Sequence, residues 1–314
     1  MIEVENLTKY YGPTVGIRDL SFKVSSGEVI GFLGPNGAGK TTLMKILTCF
    51  MPPTSGTARI LGFDILRDSL EVRRRIGYLP EHVPLYEEMS VGEYLEFVSR
   101  LKGIPGRSIP GSVEYAIEHC GLESVFRRTV GKLSKGFRQR VGIGQAIIGE
   151  PEILILDEPT IGLDPKQIIE IRGLIKSLGT ERTVILSSHI LPEVSQICNR
   201  IIIINRGELA AAGSPENLQE QLKKSSVIRI GLKEPESMER AKDVILGIEG
   251  VGSIKEQAPQ GETAYLTVES TTDIDLRGDI VKRLVEAGQP IVEVHGEELS
   301  LEDIFLRLVK EEGQ

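Results

Sequence analysis

The run Gly34-Pro35-Asn36-Gly37-Ala38-Gly39-Lys40-Thr41 fits the pattern G-x-x-x-x-G-K-[ST], and its neighbours restrict the fold more than any other part of the chain. It follows a near-continuous apolar stretch, Val29 to Leu33, of the kind expected in a central parallel strand buried on both faces. It opens a stretch of helical spacing, Thr41 to Phe50. In a strand, glycine-rich turn and helix of this order, the glycines let backbone N–H groups turn inward around a phosphate. The helix N-terminus adds favourable partial charge for the anion. Lys40 would then reach the β- and γ-phosphates of a nucleotide, and the Thr41 hydroxyl would ligate Mg²⁺.

Ile153-Leu154-Ile155-Leu156-Asp157-Glu158 is a second apolar strand, ending in two carboxylates. Alone, such an ending is commonly a solvated strand terminus. Following a phosphate loop in an α/β chain, it is the expected second half of a nucleotide site. Asp157 suits the Mg²⁺ shell opposite Thr41, and Glu158 suits a general base that polarises the attacking water. No Asn-Lys-x-Asp occurs, so a guanine-specific GTPase loses its main support.

Residues 1–30 alternate apolar and polar at Ile2, Val4 and Leu7 and again at Leu20, Phe22 and Val24, with Gly12–Pro13 between, which predicts an antiparallel opening. From about Val91 to Ile148 the spacing is helical, over Glu93–Leu101, Val113–Cys120 and Arg138–Ile148, with Gly and Pro breakers between. Strands return at Ile153–Leu156, Val184–Ser187 and Arg200–Ile204, with helical segments Gln167–Leu178 and Leu191–Cys198 between them. That rhythm predicts a parallel sheet with right-handed crossovers, interrupted by a helical insertion at about 82–150. After Gly213-Ser214-Pro215 a fresh pattern begins: strand Val227–Leu232, helix Met238–Leu246, strands Gly252–Glu256 and Ala264–Glu269, helix Leu276–Ala287, strand Ile291–His295 and helix Leu301–Lys310. The expected division is a nucleotide-binding domain over 1–220 and a small α+β domain over 221–314 that carries no chemistry of its own.

The chain of 314 residues is 40% hydrophobic and 26% charged, with net charge −8 and no long basic run. Non-specific nucleic-acid binding depends on clustered Lys and Arg, so no nucleic-acid partner is expected. No apolar stretch reaches the length of about 20 residues that spans a bilayer, and Glu3 and Glu5 stand where a signal peptide needs an apolar core. Cys49, Cys120 and Cys198 are far apart and read as buried small hydrophobes in a reducing compartment.

Leu133-Ser134-Lys135-Gly136-Phe137-Arg138-Gln139, shortly before the Asp157 strand, resembles the signature of the ABC ATPase family, whose usual form is Leu-Ser-Gly-Gly-Gln. Lys135 replaces the first Gly and Phe137 the Gln; Ser134 and Gly136 remain. Other landmarks of the family follow in order. Tyr11 matches the aromatic that stacks on adenine, with Tyr10 as a rival. Ile161-Gly162-Leu163-Asp164 matches the loop that contacts the opposite subunit, and His189 the histidine that touches the γ-phosphate. Glu81, in Ile76-Gly77-Tyr78-Leu79-Pro80-Glu81, stands where many members carry Gln. Its carboxylate either approaches Mg²⁺ or points toward a membrane partner. The resemblance spans residues 1 to about 215. Leu79-Pro80-Glu81, the altered signature and the ending Ser300-Leu301-Glu302-Asp303-Ile304-Phe305 are most similar to bacterial exporter-type subunits, in particular the gliding-motility-associated ones.

The resemblance implies a P-loop NTPase (ABC ATPase) core of α/β class, with an antiparallel β subdomain and a helical insertion, plus the small C-terminal α+β domain. It implies ATP and Mg²⁺ as ligands, with ATP held by Tyr11, the loop Gly34 to Thr41 and Thr42. Lys40, Glu158 and His189 would act in one chain, and Ser134, Lys135, Gly136 and Phe137 would reach across from the other. The implied assembly is a homodimer that drives a separate membrane permease, with export the expected direction, on the cytoplasmic face of the membrane. The alternative is an ABC-type ATPase of translation or DNA maintenance. That use generally requires two nucleotide domains in one chain or long coiled coils, and neither is present in the sequence.

Overall fold

The computed structural model describes residues 1–222, 227–233, 237–260, 263–270 and 275–297. It divides into two compact units, one ending at Pro215 and the other beginning at Glu216, whereas the sequence reading puts the boundary at 220/221.

The first unit opens with the hairpin β1 (Ile2–Tyr11) and β2 (Thr14–Val24), turning at Gly12 with φ 59° so that Tyr11 pairs with Thr14. Then come β3 (Val29–Leu33), α1 (Lys40–Leu47), β4 (Ser55–Ile60), β5 (Phe63–Asp64), α2 (Ser69–Arg75) and β6 (Ile76–Leu79). The helical insertion follows as α3 (Val91–Leu101), α4 (Ile109–Cys120) and α5 (Lys135–Ile147). The chain returns through β7 (Ile153–Leu156), α6 (Pro165–Leu178), β8 (Thr183–Ser188), α7 (Leu191–Ile197), β9 (Arg200–Asn205) and β10 (Glu208–Gly213).

These strands form two sheets. One is antiparallel, in the order β2-β1-β4-β5; the other runs β10-β9-β3-β8-β7-β6 and is parallel except for β10. Every residue of β3, β7 and β8 is buried, which is why β3, β7 and the Val184–Leu186 centre of β8 read as continuous apolar runs rather than alternating ones. The apolar side of α1 (Leu43, Met44, Ile46, Leu47) lies in a core shared by both sheets, where Phe22 and Phe32 pack with ring centroids 5.1 Å apart. The carboxyl ends of β3, β8, β7 and β6 therefore lie side by side at one edge of the sheet, where open α/β folds bind ligands.

Several elements lack the apolar pattern that would announce them. In β4 only Ala58 and Ile60 are buried, and in α2 only Val72, beside Arg73, Arg74 and Arg75. The helix α5 begins at Lys135 rather than Arg138, because the Ser134 hydroxyl caps it by accepting the Phe137 N–H at 3.4 Å.

The second unit starts in α8 (Pro215–Leu222) and continues as β11 (Val227–Leu232), α9 (Met238–Leu246), β12 (Val251–Gln260), β13 (Thr263–Ser270), α10 (Arg277–Glu286) and β14 (Ile291–Glu297). Its sheet is antiparallel throughout, in the order β12-β13-β11-β14. A β-α-β-β-α-β chain paired in that order is the ferredoxin-like arrangement. Ile228, Ile230, Leu266 and Val268 of the sheet pack against Ala241, Ile245, Ile280 and Leu284 of the two helices, giving the unit a core of its own. The helix expected over Leu301–Lys310 lies outside the described residues.

Candidate functional site

The turn between β3 and α1 is possible only with glycine at its ends. A Cβ on Gly34 would meet the Ile204 carbonyl at 2.4 Å, and one on Gly39, whose φ is +106°, would meet the Gly16 carbonyl at 2.4 Å. Gly39 is also the residue that leads into α1, so the first amides of the helix face the turn. Lys40 folds back along it, donating from Nζ to the carbonyl oxygens of Gly34 at 2.7 Å and Pro35 at 3.2 Å.

The end of β7 lies two strands away, across β8. Thr41 donates from Oγ1 to Asp157 Oδ1 at 3.3 Å, and Ser187 donates to the same oxygen at 2.5 Å. Asp157 Oδ2 is buried and has no hydrogen-bond partner among the described residues. Burial raises the Asp157 carboxyl above its ordinary range; the bonds from Ser187 and Thr41 oppose this, and the charges of Glu158 and Glu81 add to it. An oxygen that is buried, unpaired and beside a threonine hydroxyl is the setting a small hard cation fits.

Glu158 is held from several sides. Its N–H donates to Ser187 Oγ at 2.9 Å, its Oε1 lies 3.3 Å from Lys40 Nζ, and its Oε2 lies 2.9 Å from His189 Nδ1. Its φ of +47° is unusual for a residue with a side chain. Of these groups Lys40, Thr41 and Glu158 line a cleft of about 480 Å³, whose walls also include Tyr11, Asn36 to Gly39, Thr42 and Glu81. Glu81 thus faces the cleft. Tyr11, rather than Tyr10, lines it, and its hydroxyl lies 3.4 Å from Thr42 Oγ1.

The signature residues are elsewhere. Ser134, Gly136 and Phe137 line a separate depression of about 180 Å³ at the start of α5, and among the described residues none of them borders the first cleft. Lys135 is exposed, and its side chain passes over Gly162. Asp164 caps α6, accepting the Gln167 N–H at 2.9 Å. The structure therefore brings together Tyr11, Gly34 to Thr42, Glu81, Asp157, Glu158 and His189, and it separates them from the signature.

Sequence reasoning passes over Ser187, which ties Asp157 to Glu158; the only signal is a polar residue at the end of an apolar central strand. It also gives no role to Gln139, which ends the signature run, or to Glu193, which no motif marks; both are buried polar residues, of α5 and α7.

The sequence model of the ABC transporter family matches residues 17–161. The chain is 34% identical over 311 residues to the bacitracin transport ATP-binding protein BcrA of Bacillus licheniformis, covering 98% of this chain and 97% of that protein. It is 32% identical over 308 residues to the daunorubicin resistance ATP-binding protein DrrA3 of Streptomyces coeruleorubidus, covering 98% and 95%. It also resembles the dimeric post-hydrolysis state of the ATP-binding cassette MJ0796 bound to ADP and Pi, with 26% identity, a TM-score of 0.62, and coverage of 68% of this chain and 98% of that one. A phosphate loop facing two strand-end carboxylates, in a chain so similar along its length to these proteins, makes this an ATP-hydrolysing subunit of the ABC transporter family, whose work is to power transport.

Proposed function

We propose that this subunit works as half of a head-to-tail homodimer that drives export through a separate membrane permease, from the cytoplasmic face of the membrane. Tyr11 stacks on the adenine of ATP, and residues Gly34 to Thr42 cradle its phosphates. Lys40 leaves its carbonyl partners for the β- and γ-phosphates. Thr41 and Asp157, with Glu81 beside them, would hold Mg²⁺, whose charge offsets that of the phosphates when it is bound. Glu158 takes a proton from the attacking water, and His189, bonded to the other carboxylate oxygen, keeps Glu158 oriented and reaches the γ-phosphate.

The observation that carries the head-to-tail reading is the separation of the two half-sites. Tyr11, Lys40, Thr41 and Glu158 of this chain line the first cleft, while Ser134, Gly136 and Phe137 line a separate depression at the N-terminus of α5. Charge on the transferred phosphoryl group is then neutralised fully only when a second chain brings its signature over the cleft, with Asp164 at the contact. Export is favoured by the similarity to a bacitracin transport protein and a daunorubicin resistance protein. Within that type the residues Leu79-Pro80-Glu81 and the altered signature incline toward the gliding-motility-associated subunits. Complementation tests the arrangement. A Lys40→Ala chain and a Ser134→Arg chain, each inactive alone, recover hydrolysis on mixing, because one composite site of the mixed dimer is intact. Two inactive chains that stay inactive together would sink the head-to-tail reading.

A further inference from the structure

The turn that carries Glu158 is gripped at two buried points that the mechanism above does not use. Glu158 has φ +47°, a conformation that a residue with a side chain keeps only when its surroundings hold it there. Directly after it, the Pro159 carbonyl accepts Gln139 Nε2 at 2.8 Å, and the Thr160 hydroxyl donates to Glu193 Oε2. Gln139, Thr160 and Glu193 are 7%, 4% and 6% exposed, so water does not compete for these bonds. Gln139 stands on α5, the helix capped by Ser134, and Glu193 on α7, which follows directly on His189. Burying a carboxylate is costly, and a single neutral hydroxyl is a poor stabilising partner for one. A leucine at 193 would serve packing better. The bond to Thr160 therefore points to a task other than stability.

We infer that the Thr160–Glu193 hydrogen bond, together with the one from Gln139 to the Pro159 carbonyl, is a clamp that positions Glu158 for proton abstraction. Glu193 is a positioning residue, acting through Thr160, and touches neither nucleotide nor water. It ties the turn bearing the base to the segment bearing His189, so that both ends of the 2.9 Å contact between Glu158 and His189 move together. The inference rests on Glu158 being the base.

The test separates the two ideas. Thr160→Val keeps the side chain's size and removes the donor. It should lower kcat about 10- to 100-fold while affinity for a fluorescent ATP analogue stays within about twofold, because the phosphate loop is untouched. Thr160→Ser restores the hydroxyl and should restore kcat. Glu193→Gln keeps an acceptor without the charge and should stay within about threefold of wild type. In a Glu158→Gln background, Thr160→Val should change the residual single-turnover rate by less than about twofold, since it acts only through Glu158. Equal losses in both backgrounds, or full kcat in Thr160→Val, would overturn the clamp. A tenfold loss in Glu193→Gln at unchanged nucleotide affinity would overturn it as well, by assigning the effect to charge; that arm stands even if Thr160→Val does not fold. Wild-type turnover in Glu158→Gln alone would instead overturn the base assignment.

Discussion

Lys40 Nζ lies 3.3 Å from Glu158 Oε1, and the two side chains are 6% and 7% exposed, so the cation proposed for the phosphates and the carboxylate proposed for the water are partners of one another. Removing one member of such a buried pair leaves the other charge uncompensated. Lys40→Ala should therefore do two things at once. ATP binding, measured by calorimetry, should weaken at least about 30-fold through loss of a phosphate-directed charge. The folded state should lose roughly 3 kcal/mol in denaturant unfolding, softened by His189, which remains beside Glu158. Normal ATP affinity in this variant would mean that the phosphate loop has been misassigned.

Glu158→Gln has the same shape and keeps a hydrogen-bonding group toward His189, but it cannot take a proton from water. Binding of ATP should persist, turnover should fall by about 10² to 10⁴, and an ATP-dependent dimer should accumulate, visible by size-exclusion chromatography. Wild-type turnover would place the base elsewhere.

Glu81 stands in the wall of the cleft, and its charge is one of those that raise the Asp157 carboxyl. A carboxylate there adds negative charge next to a polyanion, a burden that a divalent cation offsets. Glu81→Gln in the isolated subunit should shift the Mg²⁺ concentration giving half-maximal hydrolysis by about threefold or more, while the ATP-dependent dimer still forms. An unchanged metal titration would leave Glu81 a role only toward the permease.

The cysteines should be poor nucleophiles. Burial pushes the Cys49 thiol from an ordinary 9.0 up to about 11 and the Cys120 thiol up to about 12, and burial raises Cys198 too. At pH 8 roughly one Cys49 in a thousand is thiolate, so Ellman's reagent should label the native chain slowly and the denatured chain at once. A thiol pKa raised on folding stabilises the folded state below the ordinary thiol range. That contribution fades as pH rises from about 9.0 through about 11, where the unfolded chain has already released its proton. Cys49 is half-buried rather than buried as the sequence reading expects, and its prompt labelling in the native chain would contradict the raised thiol pKa.

The sequence makes most of this site legible because its parts obey local rules. A phosphate loop needs glycines at fixed spacing, and a central strand needs an apolar run, so Gly34 to Thr41 and Ile153 to Glu158 declare both the fold and the two walls of the cleft. His189 and Tyr11 are legible only through resemblance, since nothing local separates them from an ordinary buried His or surface Tyr. Other features depend on tertiary contacts alone. Whether Glu81 faces the cleft is decided by how the chain leaves β6. Ser187, Gln139 and Glu193 matter through partners 29, 20 and 33 residues away in sequence. The weakly amphipathic β4 and α2 escape notice because each buries so little.

The last prediction concerns the residues beyond the first unit. Among the described residues, those that line the cleft belong to Met1–Pro215, and the second unit begins at Glu216. That unit has its own sheet, with α9 and α10 packed on it, and a core built from Ile228, Ile230, Leu266, Ile280 and Leu284. Among the described residues it has no group of His, Cys, Asp and Glu that could hold a metal ion. Its fold therefore draws on apolar burial of its own. A chain ending at Gln221 should bind ATP with wild-type affinity, because nothing that borders the nucleotide has been removed. If the second unit strengthens the dimer, the shortened chain should need a higher protein concentration for half-maximal hydrolysis, and at saturating concentration its kcat should approach that of the full chain. Reduced kcat at every concentration would place its influence inside the catalytic cycle rather than in assembly. A folded truncation that binds no nucleotide would mean that residues beyond 221 complete the cleft.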